Sequence, residues 1–240
     1  MTALDPDLLL RAYTIGVFPM SDSRDAEAVF WVEPKRRAIL PLDSFHLSKS
    51  LRKILRSDDF IVTRDQAFDR IVGLCAARAE TWINGEIEAA YSRLHRAGCA
   101  HSIEVWEAGE LAGGLYGVRL GGAFFGESMV SLRPNASKIA MAWLVARLRV
   151  GGFRLLDCQF MTPHLESLGA VEIDQADYLT LLDSALGARA GAGGASGGAA
   201  EPAAFDALDR LLGAAGADDD PAAGVPPAGC VIAQLIGQTS

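Results

Sequence analysis

Ser102-Ile103-Glu104-Val105-Trp106-Glu107 alternates polar and apolar side chains, Ala108-Gly109-Glu110 offers a turn, and Leu111 to Val118 resumes an extended pattern. Leu120-Gly121-Gly122 turns again, and Ala123-Phe124-Phe125 follows. A two-residue period broken by glycine turns predicts an antiparallel meander. Pro134-Asn135-Ala136-Ser137 then signals a helix start. Lys138 to Val150 is apolar nearly all round (Ile139, Met141, Trp143, Leu144, Val145, Leu148), which predicts a helix buried on most sides. Gly151-Gly152 stops it, and Phe153 to Phe160 reads as a strand. A short helix around Pro163 to Leu168, a strand at Val171 to Ile173 and a helix from Ala176 to Leu186 complete the order. Meander, helix, strand, helix, strand is an α+β arrangement with one crossover.

Upstream, Asp5-Pro6-Asp7 starts a helix carrying Leu8, Leu9, Ala12 and Tyr13, ended by Gly16, with Val17-Phe18-Pro19 as an apolar lip. Ala38 to Pro41 predicts a short strand; Ser48–Ser57, Asp65–Ala79 and Glu86–Ala97 predict helices from their apolar spacing. Composition separates a small N-terminal domain (1–34), a main domain (35–186) and an Ala/Gly-rich tail (187–240). The tail, with Gly191 to Gly198 at its centre, is expected to be flexible and dispensable for chemistry, with at most a marginal helix near 205–212.

The 240 residues are 50% hydrophobic and 22% charged, an ordinary globular balance. The start lacks the basic region of a secretory leader, and no run of ~18 apolar residues is free of charge, so a cytoplasmic protein without a membrane span is expected. Cys75, Cys99, Cys158 and Cys230 form no C-x-x-C pair, and the four histidines show no H-E-x-x-H pattern. Neither a metal nor a cofactor is expected. The net charge of −8 argues against a nucleic-acid partner only if charge is evenly spread.

Strand geometry puts Asp157 and Gln159 on one face, with Leu156, Cys158 and Phe160 on the other. The two polar residues lie about 7 Å apart at their Cα atoms, close enough to interact. An acid and an amide in an apolar strand are either a structural pair satisfying nearby backbone or a working pair in a site. Glu127, in Phe124-Phe125-Gly126-Glu127-Ser128-Met129, adds a second carboxylate where a strand is expected to end, after a glycine that permits close backbone approach.

These segments occur in a fixed order with others: Gly16-Val17-Phe18-Pro19, Thr81-Trp82-Ile83, His101 to Trp106, Asn135-Ala136-Ser137-Lys138 and Ser167-Leu168-Gly169-Ala170. Together, across about residues 8–182, the set resembles the bacterial leucyl/phenylalanyl-tRNA–protein transferases. The resemblance implies a GNAT-like acyltransferase fold. It also implies transfer of Leu, Phe and Met from aminoacyl-tRNA to proteins with N-terminal Arg or Lys, marking them for N-degron proteolysis. The enzyme is expected to act as a monomer.

On that reading Gln159 accepts a hydrogen bond from the attacking amine, and Asp157 holds the Gln159 amide nitrogen. Whether Asp157 is also the base stays open, and Glu127 is a candidate to face the acceptor's basic side chain. The resemblance draws the aminoacyl pocket from Trp82, Leu115, Phe124, Met141, Leu144 and Leu156. Met20 stands where the family often has Trp, beside the terminal adenosine. Lys35-Arg36-Arg37 with Lys49, Arg52, Lys53 and Arg56 concentrate seven positive charges. Lys49, Lys53 and Arg56 share one helix face, and with Arg52 they predict a tRNA-binding surface. The alternatives are a CoA-dependent N-acetyltransferase on the same fold and a non-enzymatic tRNA-binding module. Against the first, Val130 to Ser137 has no glycine to cradle a pyrophosphate. Against the second, a polar pair inside an apolar strand has no purpose in a mere binding module.

Overall fold

The computed structural model describes residues 4–57, 59–187, 203–215 and 228–237. Helix α1 (Pro6–Thr14) begins where Asp5 accepts from the Asp7 amide at 2.9 Å, and the chain leaves it through Gly16 at φ 79°. The expected lip is a strand, β1 (Phe18–Met20), paired antiparallel with β2 (Phe30–Val32). Strand β3 (Arg36–Ile39), helix α2 (Lys49–Ser57), strand β4 (Phe60–Arg64) and helices α3 (Phe68–Ala76) and α4 (Gly85–Arg96) follow. The sequence pattern did not predict β4, and it started α3 three residues early. Asp65 is the cause. It turns the chain at φ 62°, and its carboxylate accepts from the Ser102 amide at 3.0 Å and meets His101 Nδ1 at 2.8 Å.

The meander is β5 (Ala100–Glu107), β6 (Glu110–Leu120) and β7 (Ala123–Ser131). Helix α5 (Ala136–Val150) crosses over to β8 (Leu155–Gln159), and α6 (Pro163–Glu166), β9 (Val171–Asp174) and α7 (Gln175–Leu186) complete the main fold. The seven strands run β4-β5-β6-β7-β8-β3-β9. Every neighbouring pair is antiparallel except β7–β8, the pair joined through α5. The result is a mixed α+β fold.

Alternation along the strands gives the sheet two apolar faces. Ile103, Leu115, Phe124 and Leu156 pack with α5 and α2 on one side. Tyr116, Val118, Phe125 and Leu155 pack with α1, α3, α4 and α7 on the other. The N-terminal residues Leu9, Tyr13 and Phe18 belong to this second core.

The tail carries the short helix expected near 205–212 and more besides. Residues 191–198 lie outside the described residues, but α8 (Ala207–Ala215) and α9 (Ala228–Leu235) are formed, and Phe205, Leu208, Ile232, Ala233 and Ile236 are buried in the first core. Abundant Ala and Gly masked a few large apolar residues at helical spacing, which dock on a surface the main fold already provides.

The feature that positions the site is the parting of β7 from β8. Their pairing covers only Ala123–Phe125 against Leu155–Asp157. Just beyond, each strand carries a bulge. On β7, Gly126 pairs with Gly117 and Ser128 with Tyr116, so Glu127 has no partner. On β8, Asp157 pairs with Ile39 and Gln159 with Ala38, so Cys158 is the extra residue. Bulges bend a strand and re-aim side chains. Glu127 therefore lies inside a strand, not at its end. The glycine needed here is Gly117, whose added Cβ would sit 2.2 Å from the Phe125 carbonyl oxygen. At Gly126 the nearest atom would be 3.4 Å away.

Candidate active site

Glu127 is buried and has three donors around it. Tyr13 Oη lies 2.6 Å from Oε1, Tyr91 Oη lies 2.7 Å from Oε2, and Gln159 Nε2 donates to Oε1 at 2.9 Å. The two tyrosine hydroxyls are themselves 2.7 Å apart. Tyr13, Tyr91 and Glu127 thus form a closed triangle of oxygens. With Glu127 ionised, two hydroxyl protons serve three contacts; with Glu127 protonated, three protons fill the ring. Burial pushes the Glu127 carboxyl up to about 7, while the bonds from Tyr13, Tyr91 and Gln159 oppose the rise. Both protonation states are accessible near neutrality. Glu127 is therefore held from within by three donors, two on Oε1 and one on Oε2, while it borders the cavity.

Asp157 is fully buried and equally occupied. Arg37 Nε donates to its two oxygens at 2.9 and 3.1 Å, and Arg37 Nη2 donates to Oδ2 at 2.6 Å. Tyr178 Oη adds 2.8 Å, and the Gln159 backbone amide adds 2.8 Å. Arg37 is itself sandwiched between the rings of Phe18 and Tyr178, and its Nη1 donates to the Gly16 carbonyl at 2.9 Å. With five donor contacts Asp157 has no lone pair left for an amine. It fixes the backbone of Gln159, not the side-chain amide as expected. The amide nitrogen belongs to Glu127, because the β8 bulge swings Gln159 toward β7.

Gln159 adopts φ 62°, a conformation that costs a non-glycine residue energy and marks a constrained site. Its two anchors are the Asp157 carboxylate on the backbone and the Glu127 carboxylate on Nε2. Gln159 Oε1 accepts no hydrogen bond among the described residues and is not sealed from solvent. It borders a cavity of about 390 Å³ that opens where the strands part.

That cavity is lined by Trp82, Leu115, Met141 and Leu144, four of the expected wall residues, with Met129 and Leu165. Two expected residues are elsewhere. Phe124 lies in the same core as Leu115 and Met141 but away from the cavity, stacked on Phe205 with centroids 5.4 Å apart. Leu156 is buried and borders a different recess with Leu40 and Phe153. Met20 lies in a neighbouring groove that shares Arg78 and Trp82 with the cavity. Ser21 fastens these parts together, its amide and hydroxyl both donating to the Trp82 carbonyl, at 3.0 and 2.9 Å. Trp82 itself precedes Asn84, which caps α4 by accepting from the Ile87 amide at 2.9 Å.

The basic cluster divides. Arg36 forms surface pairs with Glu172 and Asp174, whereas Arg37 is buried against Asp157 and is not available to a polyanion. On α2, Lys49, Lys53 and Arg56 are exposed and Arg52 is half-buried. None of the four is ion-paired among the described residues. Sequence reasoning missed Tyr13, Tyr91, Arg37 and Tyr178. A hydroxyl at the end of an apolar helix face, as in Tyr13 and Tyr91, was the available signal, since buried tyrosines seek a partner. Among the described residues no group of three His, Cys, Asp or Glu side chains could hold a metal ion. No described helix is long and apolar enough to cross a membrane.

Residues 39–183 match the family model of leucyl/phenylalanyl-tRNA protein transferase, and residues 2–35 match that of its N-terminal domain. The chain belongs to this family. It is an aminoacyltransferase. A leucyl/phenylalanyl-tRNA–protein transferase of Rhizorhabdus wittichii is 62% identical over all of both chains. That of Zymomonas mobilis is 61% identical over 76% of this chain and 70% of its own. That of Novosphingobium aromaticivorans is 58% identical over 76% and 71%. Among solved structures, L-PGS from Bacillus licheniformis overlaps 65% of this chain and 53% of its own, with 12% identity and a TM-score of 0.37, too distant to define the fold.

Proposed function

We propose that this aminoacyltransferase moves Leu, Phe or Met from aminoacyl-tRNA to the N-terminal Arg or Lys of acceptor proteins, on a GNAT-like framework whose splayed strands β7 and β8 hold the reacting groups. The observation that carries the reading is the Gln159 amide, held by Glu127 through Nε2 with Oε1 turned to an apolar cavity.

The donor ester is already activated, so the protein's task is placement and proton acceptance. The acyl side chain enters the cavity between Trp82, Leu115, Met141 and Leu144, and the ribose and adenine lie toward Met20. The acceptor's neutral α-amine donates one N–H to Gln159 Oε1, which aims its lone pair at the ester carbonyl carbon. A C–N bond forms, the carbonyl carbon's bond to the ribose oxygen breaks, and the proton shed by nitrogen ends on that ribose oxygen. Asp157 is a positioning residue, neutralised by Arg37. Glu127 positions Gln159 and, through its triangle with Tyr13 and Tyr91, sets the proton content of the site. The face of Lys49, Lys53 and Arg56 meets acceptor-stem phosphates without reading sequence, which suits several tRNAs.

The test is a radiolabelled transfer assay with an Arg-initiated peptide as acceptor and either Phe-tRNA or acetyl-CoA as donor. Label from Phe-tRNA alone is expected; label from acetyl-CoA would transfer the reading to an N-acetyltransferase.

A further inference from the structure

The C-terminal segment lies beyond the span of the family models, which end at residue 183, yet it supplies parts the main fold needs. Arg147 of α5 has a guanidinium only 3% exposed. Among the described residues its acidic partner is Asp209 of α8, at 2.5 and 2.8 Å, and it also donates to the Phe205 carbonyl at 2.7 Å. Phe205 stacks on His101 and Phe124, with centroids 4.3 and 5.4 Å apart. A buried guanidinium without a counter-ion is costly, so this part of the segment completes the fold.

The second half of the segment contacts α2. Ile232, Ala233 and Ile236 pack in one core with Leu51 and Leu55. The crossing is close: a Cβ added to Gly229 would lie 1.9 Å from the Leu55 carbonyl oxygen. At the other end of α9, a Cβ on Gly237 would lie 3.1 and 3.2 Å from the two terminal nitrogens of Arg52. Arg52 therefore rests against the C-terminal turn of α9, where carbonyl groups carry partial negative charge. This explains why Arg52 is half-buried while Lys49, Lys53 and Arg56 are exposed.

We propose that α9 is a built-in strap that sets the position of the basic helix α2, so that Gly229 and Arg52 are positioning residues for tRNA binding rather than phosphate ligands. The inference rests on the reading of α2 as the acceptor-stem face. No described residue of α9 lines the cavity at Gln159, so the effect of the strap falls on the RNA and not on the transfer step.

The experiment uses the full chain with two donors: aminoacyl-tRNA, and an aminoacyl-adenosine too short to reach α2. Gly229→Val pushes α9 off α2. It is expected to raise KM for aminoacyl-tRNA about tenfold and to leave transfer from aminoacyl-adenosine within about twofold. Ile232→Ala loosens the same contact without steric conflict, and is expected to give a smaller shift of the same kind should Gly229→Val fail to fold. The triple variant Lys49→Glu, Lys53→Glu, Arg56→Glu is the control. An unchanged KM for tRNA in the triple variant overturns the α2 reading and the strap with it. A raised KM in the triple variant, with both α9 variants unchanged or with both donors impaired equally, overturns the strap alone.

Discussion

Gln159 Nε2 donates to Glu127 Oε1 at 2.9 Å across the gap between two parallel strands that have stopped pairing. The bond decides which end of the amide faces the cavity. An amide flipped end for end would donate its N–H to the lone pair of the incoming amine and tie up the electrons that must attack. Replacing Gln159 with Ala is expected to lower kcat about a hundredfold with the thermal midpoint little changed, measured as transfer from Phe-tRNA to an Arg-initiated peptide. Turnover within twofold of the parent would remove Gln159 from the reaction.

Asp157 and Arg37 make a buried pair, and removing one partner strands the other. Asp157→Asn is expected to destabilise the protein by about 3–5 kcal/mol, seen as a lower urea midpoint. A double variant, Asp157→Leu with Arg37→Met, should be less destabilised than the two single effects added together, since both charges leave at once. Strict additivity would mean that the pair does not act as a unit.

Glu127 links pH to stability. Its carboxyl is raised from 4.5 unfolded to about 7 in the fold, through burial. A raised acid favours the fold fully below 4.5 and loses that contribution as pH climbs through 7. Over about 2.5 units the loss approaches about 3 kcal/mol. Glu127→Gln lacks this term, so its melting temperature relative to the parent should rise from pH 5 to pH 8 while transfer activity falls. A difference that stays flat across that range would show that Glu127 titrates elsewhere.

Trp82 closes the cavity on the side shared with the Met20 groove. Trp82→Ala should widen the space and compress the ratio of kcat/KM values between Phe and Leu donors and smaller apolar ones, by about tenfold. Competition between two labelled donors in one reaction reads the ratio directly.

Most of the architecture was legible because side-chain period and glycine turns are local signals. The meander, the all-apolar α5 and the capped α1 follow from residues a few positions apart. Strand β4 was not legible, since its end depends on Asp65 reaching Ser102 and His101. The site was half legible. Asp157, Gln159 and Glu127 stood out as polar groups in apolar strands, but their bonding was set by bulges, and a bulge needs the partner strand to be known. Lys35-Arg36-Arg37 looked like one patch, and only the fold separates a buried Arg37 from an exposed Arg36. The tail misled because average composition says nothing of where a few large side chains land.

The pairing of Arg37 with Asp157 spans 120 residues. Strand β3 leaves the chain early, yet its neighbours in the sheet, β8 and β9, are made more than a hundred residues later. Closing contacts this distant carries a large loop-closure cost. Asp157, which holds the backbone of Gln159, is itself fixed by that distant contact, so a chain in which β3 and β8 are unpaired has no ordered reactive centre. Catalytic competence is thereby a readout of finished folding, and an early loss of activity on mild heating would report this seam opening before the meander melts.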